Sequence, residues 1–283
     1  MSERNTVVFV DSGIGGIPYL RHFRELGKVP NITLPCAYIA DNSAFPYGEK
    51  TKDELLCILK TLVIKACDIF NPKIIVLACN TASVSTLTEL REYFPKIEFV
   101  GTVPAVKPAV MYSRTGNIGL LGTERTISDP YAGSLVHSID EHCKLHELAA
   151  PDLVEFVENK LHNSSEDEKQ EIVRRYVDNF RGKNVDGIVL GCTHFLFLKE
   201  IFVQAGLPDI TIYDSVEGVC KRVMELFYNR NNKNNRNIEN NFENEKDKTD
   251  QGAMENKFAI TKNCDKEIWE QRAADLGMKL VII

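Results

Sequence analysis

Apolar and polar positions alternate along this chain with two different periods. Short apolar, β-branched runs predict buried strands, and the longer stretches between them, with apolar residues three or four positions apart, predict helices. In the first part of the chain the predicted strands are 7–10, 36–40 and 74–78, and the predicted helices are 17–26, 52–69 and 82–93. Because helical crossovers join strands in parallel, this order predicts a parallel α/β unit.

The same order starts afresh after residue 109. The predicted strands of this second set are 117–121, 144–148 and 187–191, and the predicted helices are 127–139, 152–162, 166–181 and 197–205. Two prolines and a glycine within residues 101–108 predict a crossover between the two sets. The predicted fold class is therefore α/β, with two pseudo-symmetric domains that each contain a mostly parallel sheet flanked by helices.

The composition changes sharply in residues 229–257, of which ten are Asn, six basic and six acidic. Such a segment cannot bury enough apolar surface to offset its ordering entropy, which predicts a disordered insertion. The apolar pattern returns from residue 258 and predicts a closing helix and strand, so the insertion is internal. We expect a first domain of residues 1–102 plus 213–283 and a second domain of residues 103–212.

Composition and charge exclude several classes of protein. The chain has 283 residues, 43% of them hydrophobic, which is enough for a substantial core. Its net charge of −6 argues against a nucleic acid as partner, because such proteins usually carry an excess of Lys and Arg on one face. The sequence contains neither a long apolar run nor a signal-peptide pattern, so we expect a cytoplasmic protein without membrane contact.

The eight cysteines are spread through the chain without any C-x-x-C pair. With no secretion signal, this distribution predicts reduced thiols and supports neither a thioredoxin-type redox pair nor a paired zinc site. We therefore expect no bound metal.

Two of these cysteines follow nearly identical strands. Cys79 comes directly after residues 75–78 (IVLA), and Cys192 comes after residues 188–191 (IVLG). The carboxyl ends of parallel strands are where α/β proteins place their chemistry. A single cysteine at such a position is more often a small buried hydrophobe than a nucleophile. Two of them, each followed by hydrogen-bonding side chains, predict a site with one sulfur on each side of a ligand.

A glycine-rich loop, residues 11–16 (DSGIGG), lies between the first strand and the first helix. A dinucleotide fingerprint would require a third glycine where Pro18 stands. We instead expect the loop to cradle a carboxylate and Asp11 to touch a reacting centre, the simpler alternative being a tight turn with Asp11 as a helix cap.

The loop after the second strand contains Tyr47 and Gly48. We predict that these two residues line the pocket, the alternative being a purely structural turn.

Four motifs together resemble the signature of the glutamate racemases, cofactor-independent members of the aspartate/glutamate racemase superfamily. They are residues 11–16 (DSGIGG), 46–50 (PYGEK), 78–82 (ACNTA) and 190–194 (LGCTH). The resemblance runs from residue 7 to the final strand, interrupted by the Asn-rich segment. It implies that the active site lies in a cleft between the two domains, that no cofactor takes part, and that the chain forms a homodimer.

The resemblance also implies a role for individual residues in a two-base reaction on glutamate, which supplies D-glutamate for peptidoglycan. Cys79 would remove the α-proton of D-glutamate and Cys192 that of L-glutamate, assisted by Asp11 and His194 respectively. The residues that would hold the substrate are Asp11, Ser12, Tyr47, Gly48, Asn80, Thr81, Thr193 and His194.

An acidic residue of the family aligns best with Glu158, with Glu155 as the nearby alternative. Arg125 stands where members of the family usually carry glycine, a departure that affects the turn before Thr126.

Other functions remain open on the sequence alone. An aspartate or hydantoin racemase of the same superfamily would use the same thiols, because the thiols fix the chemistry and not the side-chain pocket. A regulatory protein could bind glutamate in a racemase-like cleft without exchanging its α-proton. A thiol redox enzyme would form a Cys79–Cys192 bridge on mild oxidation, although the missing C-x-x-C disfavours it.

Overall fold

The computed structural model describes residues 6–27, 35–236 and 256–283, and contains two parallel sheets with helices on their faces. The strands are β1 (Thr6–Asp11), β2 (Cys36–Ala40), β3 (Pro72–Leu77), β4 (Glu98–Gly101), β5 (Asn117–Gly122), β6 (Lys144–Ala149), β7 (Gly187–Leu190), β8 (Thr211–Tyr213), β9 (Lys257–Ile260) and β10 (Lys279–Ile282). The first sheet has the order β10-β9-β2-β1-β3-β4, and the second has the order β6-β5-β7-β8. All strand pairs are parallel, which confirms the predicted fold class.

The helices lie between the strands, as the alternating pattern predicts. They are α1 (Ile17–Leu26), α2 (Lys52–Phe70), α3 (Asn80–Tyr93), α4 (Val106–Tyr112), α5 (Glu124–Ser128), α6 (Tyr131–Ile139), α7 (Pro151–Glu155), α8 (Glu166–Arg181), α9 (Lys199–Gly206), α10 (Val216–Arg236) and α11 (Lys266–Ala274). Both α2 and α8 begin with a reciprocal capping box, Thr51 with Glu54 and Ser165 with Glu168. Each box satisfies backbone amides that have no partner within the helix.

Three predicted helices differ from the structure. The stretch predicted as one helix, 127–139, is divided between α5 and α6 at Asp129 and Pro130, because proline lacks an amide proton and restricts the residue before it. The stretch 152–162 becomes α7, a π turn at Phe156–Lys160 and a 3-10 turn at Leu161–Asn163. The helix predicted at 197–205 is the 3-10 turn Thr193–Leu198 followed by α9.

Five of these strands and helices had no sequence prediction: β4, β8, β9, α4 and α10. The predicted crossover at 101–108 leads from β4 of the first sheet towards β5 of the second, and it includes the start of α4. Helix α10 continues to Arg236, into the predicted insertion 229–257, and residues 237–255 lie outside the described residues. The predicted closing helix and strand are α11 and β10, each adjoining β9.

Buried side chains from both sheets belong to one continuous core. Phe9 and Tyr38 of the first sheet share it with Ile188 of the second sheet and Phe180 of α8. Smaller clusters cover the other face of each sheet, around Leu59 in α2 and around Val110 in α4. Strands of the first sheet come from residues 6–101 and 257–282, and strands of the second from 117–213, while the exact domain boundaries stay a prediction. None of the helices in the described residues is long and apolar enough to span a membrane.

Candidate active site

The two predicted cysteines occupy equivalent places in the two sheets. Cys79 lies two residues beyond β3 and is the N-cap of α3, and Cys192 lies two residues beyond β7 at the start of a 3-10 turn. Both side chains are nearly buried, with 8% of Cys79 and 7% of Cys192 exposed. All eight cysteines are free thiols in the structure.

A hydrogen bond joins the end of β1 to the Cys192 loop. The Thr193 hydroxyl donates to Asp11 Oδ2 at 2.9 Å, and the Gly13 amide donates to Asp11 Oδ1 at 3.0 Å. Asp11 is completely buried, and burial raises the pKa of its carboxyl, against the opposing effects of the His194 charge and these two donors. The strand ends of the two sheets therefore meet at Asp11.

The glycine loop after β1 packs tightly against residues from both halves of the site. A Cβ atom at Gly13 would lie 2.5 Å from Glu158 Oε2, and one at Gly15 would lie 2.6 Å from His194 Nδ1. At Gly16 it would lie 2.6 Å from the Ala78 Cβ. Close approach thus favours glycine at all three positions: a side chain at Gly13 or Gly15 would press against the second half of the site, and one at Gly16 would press against Ala78.

We predicted that the backbone amides of this loop bind a carboxylate of a ligand. This prediction is wrong for three of the amides, because each already donates a hydrogen bond to a group of the protein. Gly13 donates to Asp11, Ile14 donates to Glu158 Oε2 at 3.1 Å, and the Gly16 amide donates to the Tyr38 hydroxyl at 3.1 Å. In the simpler alternative, the tight turn is present, but Asp11 is not a helix cap, since the N-cap of α1 is Gly16 and no side chain caps this helix. The loop mainly holds the two halves of the site together.

Cys192, His194 and Glu158 form a chain of polar contacts. His194 Nδ1 lies 3.9 Å from Cys192 Sγ, and its Nε2 lies 3.0 Å from Glu158 Oε2. Burial opposes protonation of the imidazole, but the hydrogen bonds to Cys192 and Glu158 and the nearby Asp11 charge raise the pKa of His194 well above its usual value. The ring is therefore suited to hold a positive charge between sulfur and carboxylate.

Glu158 reaches His194 because it lies in the π turn that follows α7. Burial alone would raise the pKa of this carboxyl, yet the hydrogen bond and charge of His194, the charge of Arg272 and the Ile14 amide lower it overall. Glu155, the alternative left by the sequence, is exposed and pairs with Lys160 at 3.5 Å. Geometry thus favours Glu158 as the acidic residue of the site.

The surroundings of Cys79 differ from those of Cys192. Burial, followed by the negative charge of Asp11, raises the pKa of Cys79 well above its usual value, although the amides of Ala82 and Thr81 oppose the rise. Next to it, Asn80 is 2% exposed, and its buried Nδ2 has no hydrogen-bond partner in the described part of the protein. A buried donor without a partner is rare and is expected where a ligand supplies the acceptor.

Threonines from both halves of the chain meet beside Asn80. Thr81 Oγ1 lies 2.9 Å from Thr123 Oγ1 and 3.3 Å from Thr126 Oγ1. Arg125 does not disturb this cluster, because its Nε turns towards Ser85 Oγ at 3.3 Å. Position 126 is therefore at the site despite the departure at position 125.

Tyr47 and Gly48 border the same region, with one difference from the prediction. The Tyr47 side chain is 1% exposed and its hydroxyl donates to Asp41 Oδ2 at 2.8 Å, so this hydroxyl is already engaged. Burial, with the Asp41 charge, raises the pKa of Tyr47 well above its usual value. A Cβ atom at Gly48 would lie 3.2 Å from the Thr123 Cβ, so Gly48 permits the close packing of the threonine cluster.

Two contributors, Thr123 and Arg272, had no place in the sequence prediction. Thr123 caps α5 through the Thr126 amide, a pattern that Thr-x-x-Thr before a helix could have indicated. Arg272 contacts Glu158 from 114 residues away, and no local sequence signal announces such a pair. Within the described ranges, no cluster of three or more His, Cys, Asp or Glu side chains could hold a metal ion.

Comparison with known proteins identifies the family. The family model described as Asp/Glu/Hydantoin racemase matches residues 39–222 of the chain. The chain therefore belongs to this family of racemases, and the match includes both strand-end cysteines.

Individual relatives narrow the class further. The chain is 38% identical to the glutamate racemase of Treponema pallidum over 224 residues, 79% of this chain and 82% of that protein. It is 39% identical to the glutamate racemase of Proteus mirabilis over 228 residues, 80% of this chain and 77% of that protein. On this evidence the chain belongs to the glutamate racemases, which are amino-acid isomerases.

Solved structures agree with this assignment over the whole fold. Escherichia coli glutamate racemase, in complex with L-glutamate and the activator UDP-MurNAc-Ala, has a TM-score of 0.78 at 29% identity, covering 99% of this chain and 97% of that one. The RacE1 isoform from Bacillus anthracis has a TM-score of 0.75 at 23% identity, with coverage of 99% and 98%, and supports the fold.

Proposed function

We propose that this enzyme interconverts L- and D-glutamate by proton transfer between the α-carbon and two thiols, Cys79 and Cys192, on opposite faces of the substrate. The observation that carries the proposal is the pair of nearly buried thiols at equivalent strand ends of two different sheets. Between the two thiols, the Thr193–Asp11 hydrogen bond connects the two sheets. A single base would tend to return the proton to the face from which it came, whereas two thiols provide both faces.

Glutamate as substrate is supported by the relatives. The Escherichia coli enzyme, similar over nearly the whole chain, binds L-glutamate, and the curated relatives from Treponema pallidum and Proteus mirabilis are glutamate racemases. The unpaired Asn80 amide is a suitable donor for one of the substrate's carboxylate oxygens. Ser12, Thr81 and Thr193 are all buried and lie within two residues of Asp11, Cys79 and Cys192 respectively, so they supply further polar groups.

The reaction balances without any further reactant. The Cys192 thiolate takes the α-proton of L-glutamate, so an S–H bond forms as the Cα–H bond breaks, and the electron pair is delocalised into the α-carboxylate. The Cys79 thiol then donates its proton to the opposite face, which forms a new Cα–H bond with inverted configuration and leaves Cys79 as thiolate. The reverse reaction uses the same steps in the opposite order.

The charges around the two thiols favour opposite protonation states at the start of the reaction with L-glutamate. Burial and the Asp11 charge raise the pKa of Cys79, which keeps this sulfur protonated and ready to act as the acid. His194, with its raised pKa, offers a cationic partner to the Cys192 sulfur, as a base in thiolate form requires. For D-glutamate the roles exchange, and Asp11 is the carboxylate close enough to influence the Cys79 proton.

Proton exchange with solvent tests the mechanism. The purified protein is incubated in D2O with L- or D-glutamate and no added cofactor, and optical rotation and α-proton NMR are followed. We expect rotation to decay to zero from either enantiomer, with deuterium entering the product enantiomer before the remaining substrate. Racemisation that leaves the product fully protiated would disprove transfer through exchangeable thiols.

The same assay separates glutamate from the other substrates of the family. Aspartate and a hydantoin are supplied in parallel at equal concentration. We expect glutamate to have the highest kcat/KM, and a higher value for either of the others would move the enzyme to that branch of the family.

The cellular role follows from the product. We propose that the enzyme supplies D-glutamate for peptidoglycan, which is tested by whether its gene restores growth of a bacterial strain that requires added D-glutamate. The cytoplasmic location and the homodimer expected from the sequence stay predictions, and sedimentation of the purified protein measures the second.

A further inference from the structure

Arg272, on helix α11, contacts the Cys192–His194–Glu158 chain at the end opposite the thiol. Its Nη1 donates to Glu158 Oε1 at 3.1 Å, and its Nη2 donates to the main-chain oxygen of the same residue at 3.0 Å. One planar group therefore holds both the carboxylate of Glu158 and the π turn on which it lies.

The other carboxylate oxygen of Glu158, Oε2, makes the contact with His194. Oε2 accepts from the Ile14 amide at 3.1 Å and lies 3.0 Å from His194 Nε2. With Oε1 held by Arg272, rotation of the carboxylate would break hydrogen bonds on both oxygens. The Glu158 side chain is only 9% exposed, so water offers little replacement for a lost donor.

The guanidinium group is itself held in place. It lies 4.5 Å from the ring centroid of Trp269, a buried side chain that packs against Phe258 with ring centroids 5.9 Å apart. Its own side chain is 20% exposed. A lysine here would offer a mobile point charge and could not donate in two fixed directions at once.

The geometry points to Arg272 as a positioning residue for proton transfer at Cys192: by fixing Glu158, it holds His194 against the Cys192 sulfur. This inference rests on the two-thiol mechanism proposed above. In the described part of the chain, both hydrogen bonds of Arg272 go to Glu158, and the groups around Cys79, namely Asp11 and the amides of Thr81 and Ala82, lie outside its contacts.

An effect confined to one thiol has a kinetic signature. Because the equilibrium constant of racemisation is unity, kcat/KM must fall equally in both directions and cannot reveal which face is impaired. Kinetic isotope effects can reveal which of the two proton transfers is impaired. α-Deuterated L-glutamate reports transfer to Cys192, and α-deuterated D-glutamate reports transfer to Cys79. When the Cys192 step becomes slower, the primary isotope effect on kcat/KM rises with L-glutamate and falls with D-glutamate.

The experiment compares Arg272→Met, Arg272→Lys and a matched control, Lys266→Met, which removes a cation from the same helix where it pairs with Glu270 at 3.4 Å. We expect Arg272→Met to lower kcat/KM by about ten- to a hundredfold, the range known for partners that orient metal-bound side chains, because Arg272 orients Glu158 and His194 in the same way. Arg272→Lys should recover part of the loss, and Lys266→Met should equal the wild type. The two isotope effects should move in opposite directions in Arg272→Met.

Isotope effects that stay at wild-type values, or that shift together, would overturn the inference and leave Arg272 as a structural anchor. Wild-type turnover in Arg272→Met would overturn it as well. If Arg272→Met does not fold, Arg272→Lys supplies the same isotope test. Product that stays fully protiated in the D2O assay described above would overturn the two-thiol mechanism and this inference together, whereas unchanged isotope effects overturn this inference alone, so the two failures are distinguishable.

Discussion

Thr193 donates a hydrogen bond to Asp11 across the junction of the two sheets, with Thr193 Oγ1 2.9 Å from Asp11 Oδ2. Asp11 ends β1, and Thr193 is the residue directly after Cys192. A carboxylate that influences Cys79 is thereby tied to the backbone that carries the other thiol. The relative position of the two sulfurs depends on this contact as well as on the two sheets.

Replacement of Thr193 by valine keeps the shape of the side chain and removes the donor. We expect the free energy of unfolding to fall by about 1–3 kcal/mol, because a buried carboxylate loses one of its hydrogen bonds, and kcat/KM to fall with it. Urea unfolding and the racemisation assay measure the two effects. Thr61→Val, on the exposed face of α2, is the control, and equal behaviour of both variants would contradict the prediction.

Substitution of either thiol, Cys79→Ser or Cys192→Ser, should lower the rate of racemisation by roughly 10²–10⁴-fold, the usual contribution of a positioned acid or base. Serine keeps the size of the side chain, but its hydroxyl is a much weaker acid, so the circular dichroism spectrum and melting temperature should stay near wild type. Cys57→Ser, at an exposed thiol on α2, should be fully active. A near-normal rate in either strand-end variant would refute the two-base mechanism.

A methyl group at Gly15 would meet His194 and Thr193 directly. We expect Gly15→Ala to destabilise the protein by about 1–3 kcal/mol through overpacking, and to reduce activity more than stability because both neighbours belong to the site. Gly133→Ala is a matched control, since Gly133 lies in helix α6 with open space around it. That variant should be more stable by about 0.5–1 kcal/mol. Similar melting temperatures for the two variants would show that the close approach is unimportant.

The pH dependence of stability should reflect Asp186, which directly precedes β7. Burial alone would raise the pKa of this carboxyl, but the hydroxyl of Ser113 and the amides of Arg114 and Thr115 lower it below its ordinary value of 3.8. Because the pKa is lower in the folded state, the stabilising contribution is full above the ordinary value and is lost as pH falls through the folded-state value.

Urea unfolding of the wild type and Asp186→Asn at several pH values measures this contribution. The wild type should exceed the variant most near neutral pH, and the gap should narrow once the pH falls below about 4. A gap that stays constant or widens in acid would contradict the assignment.

Much of the fold could be predicted because local pattern and tertiary structure agree. The buried strands β1, β2, β3 and β7 are continuous apolar runs, and their ends identify Asp11, Cys79 and Cys192 directly. The edge strands β4 and β8 were missed because they are short and only partly buried, so their apolar pattern is weak.

What the sequence could not supply are contacts between distant segments. The role of the glycines follows from the approach of Glu158 and His194 to the loop, and no property of the loop itself reveals these partners. Likewise, the sequence alone shows Arg272 only as a cation on a helix, because its contact with Glu158 arises when the fold brings α11 beside that residue. The hydrogen bond from the Tyr47 hydroxyl to Asp41 is a similar case, since the sequence around Asp41 is equally typical of an ordinary turn.

The π turn at Phe156–Lys160 makes the site sensitive to chain length as well as to side-chain identity. Each residue of an α-helix advances the side chain by about 100° around the axis. Deletion of one residue before Glu158 would allow regular helix to continue and would rotate this carboxylate away from His194, while composition and charge stayed almost the same. A comparison of this enzyme with its relatives should therefore include changes in the length of this segment, because its length sets the direction of the Glu158 side chain.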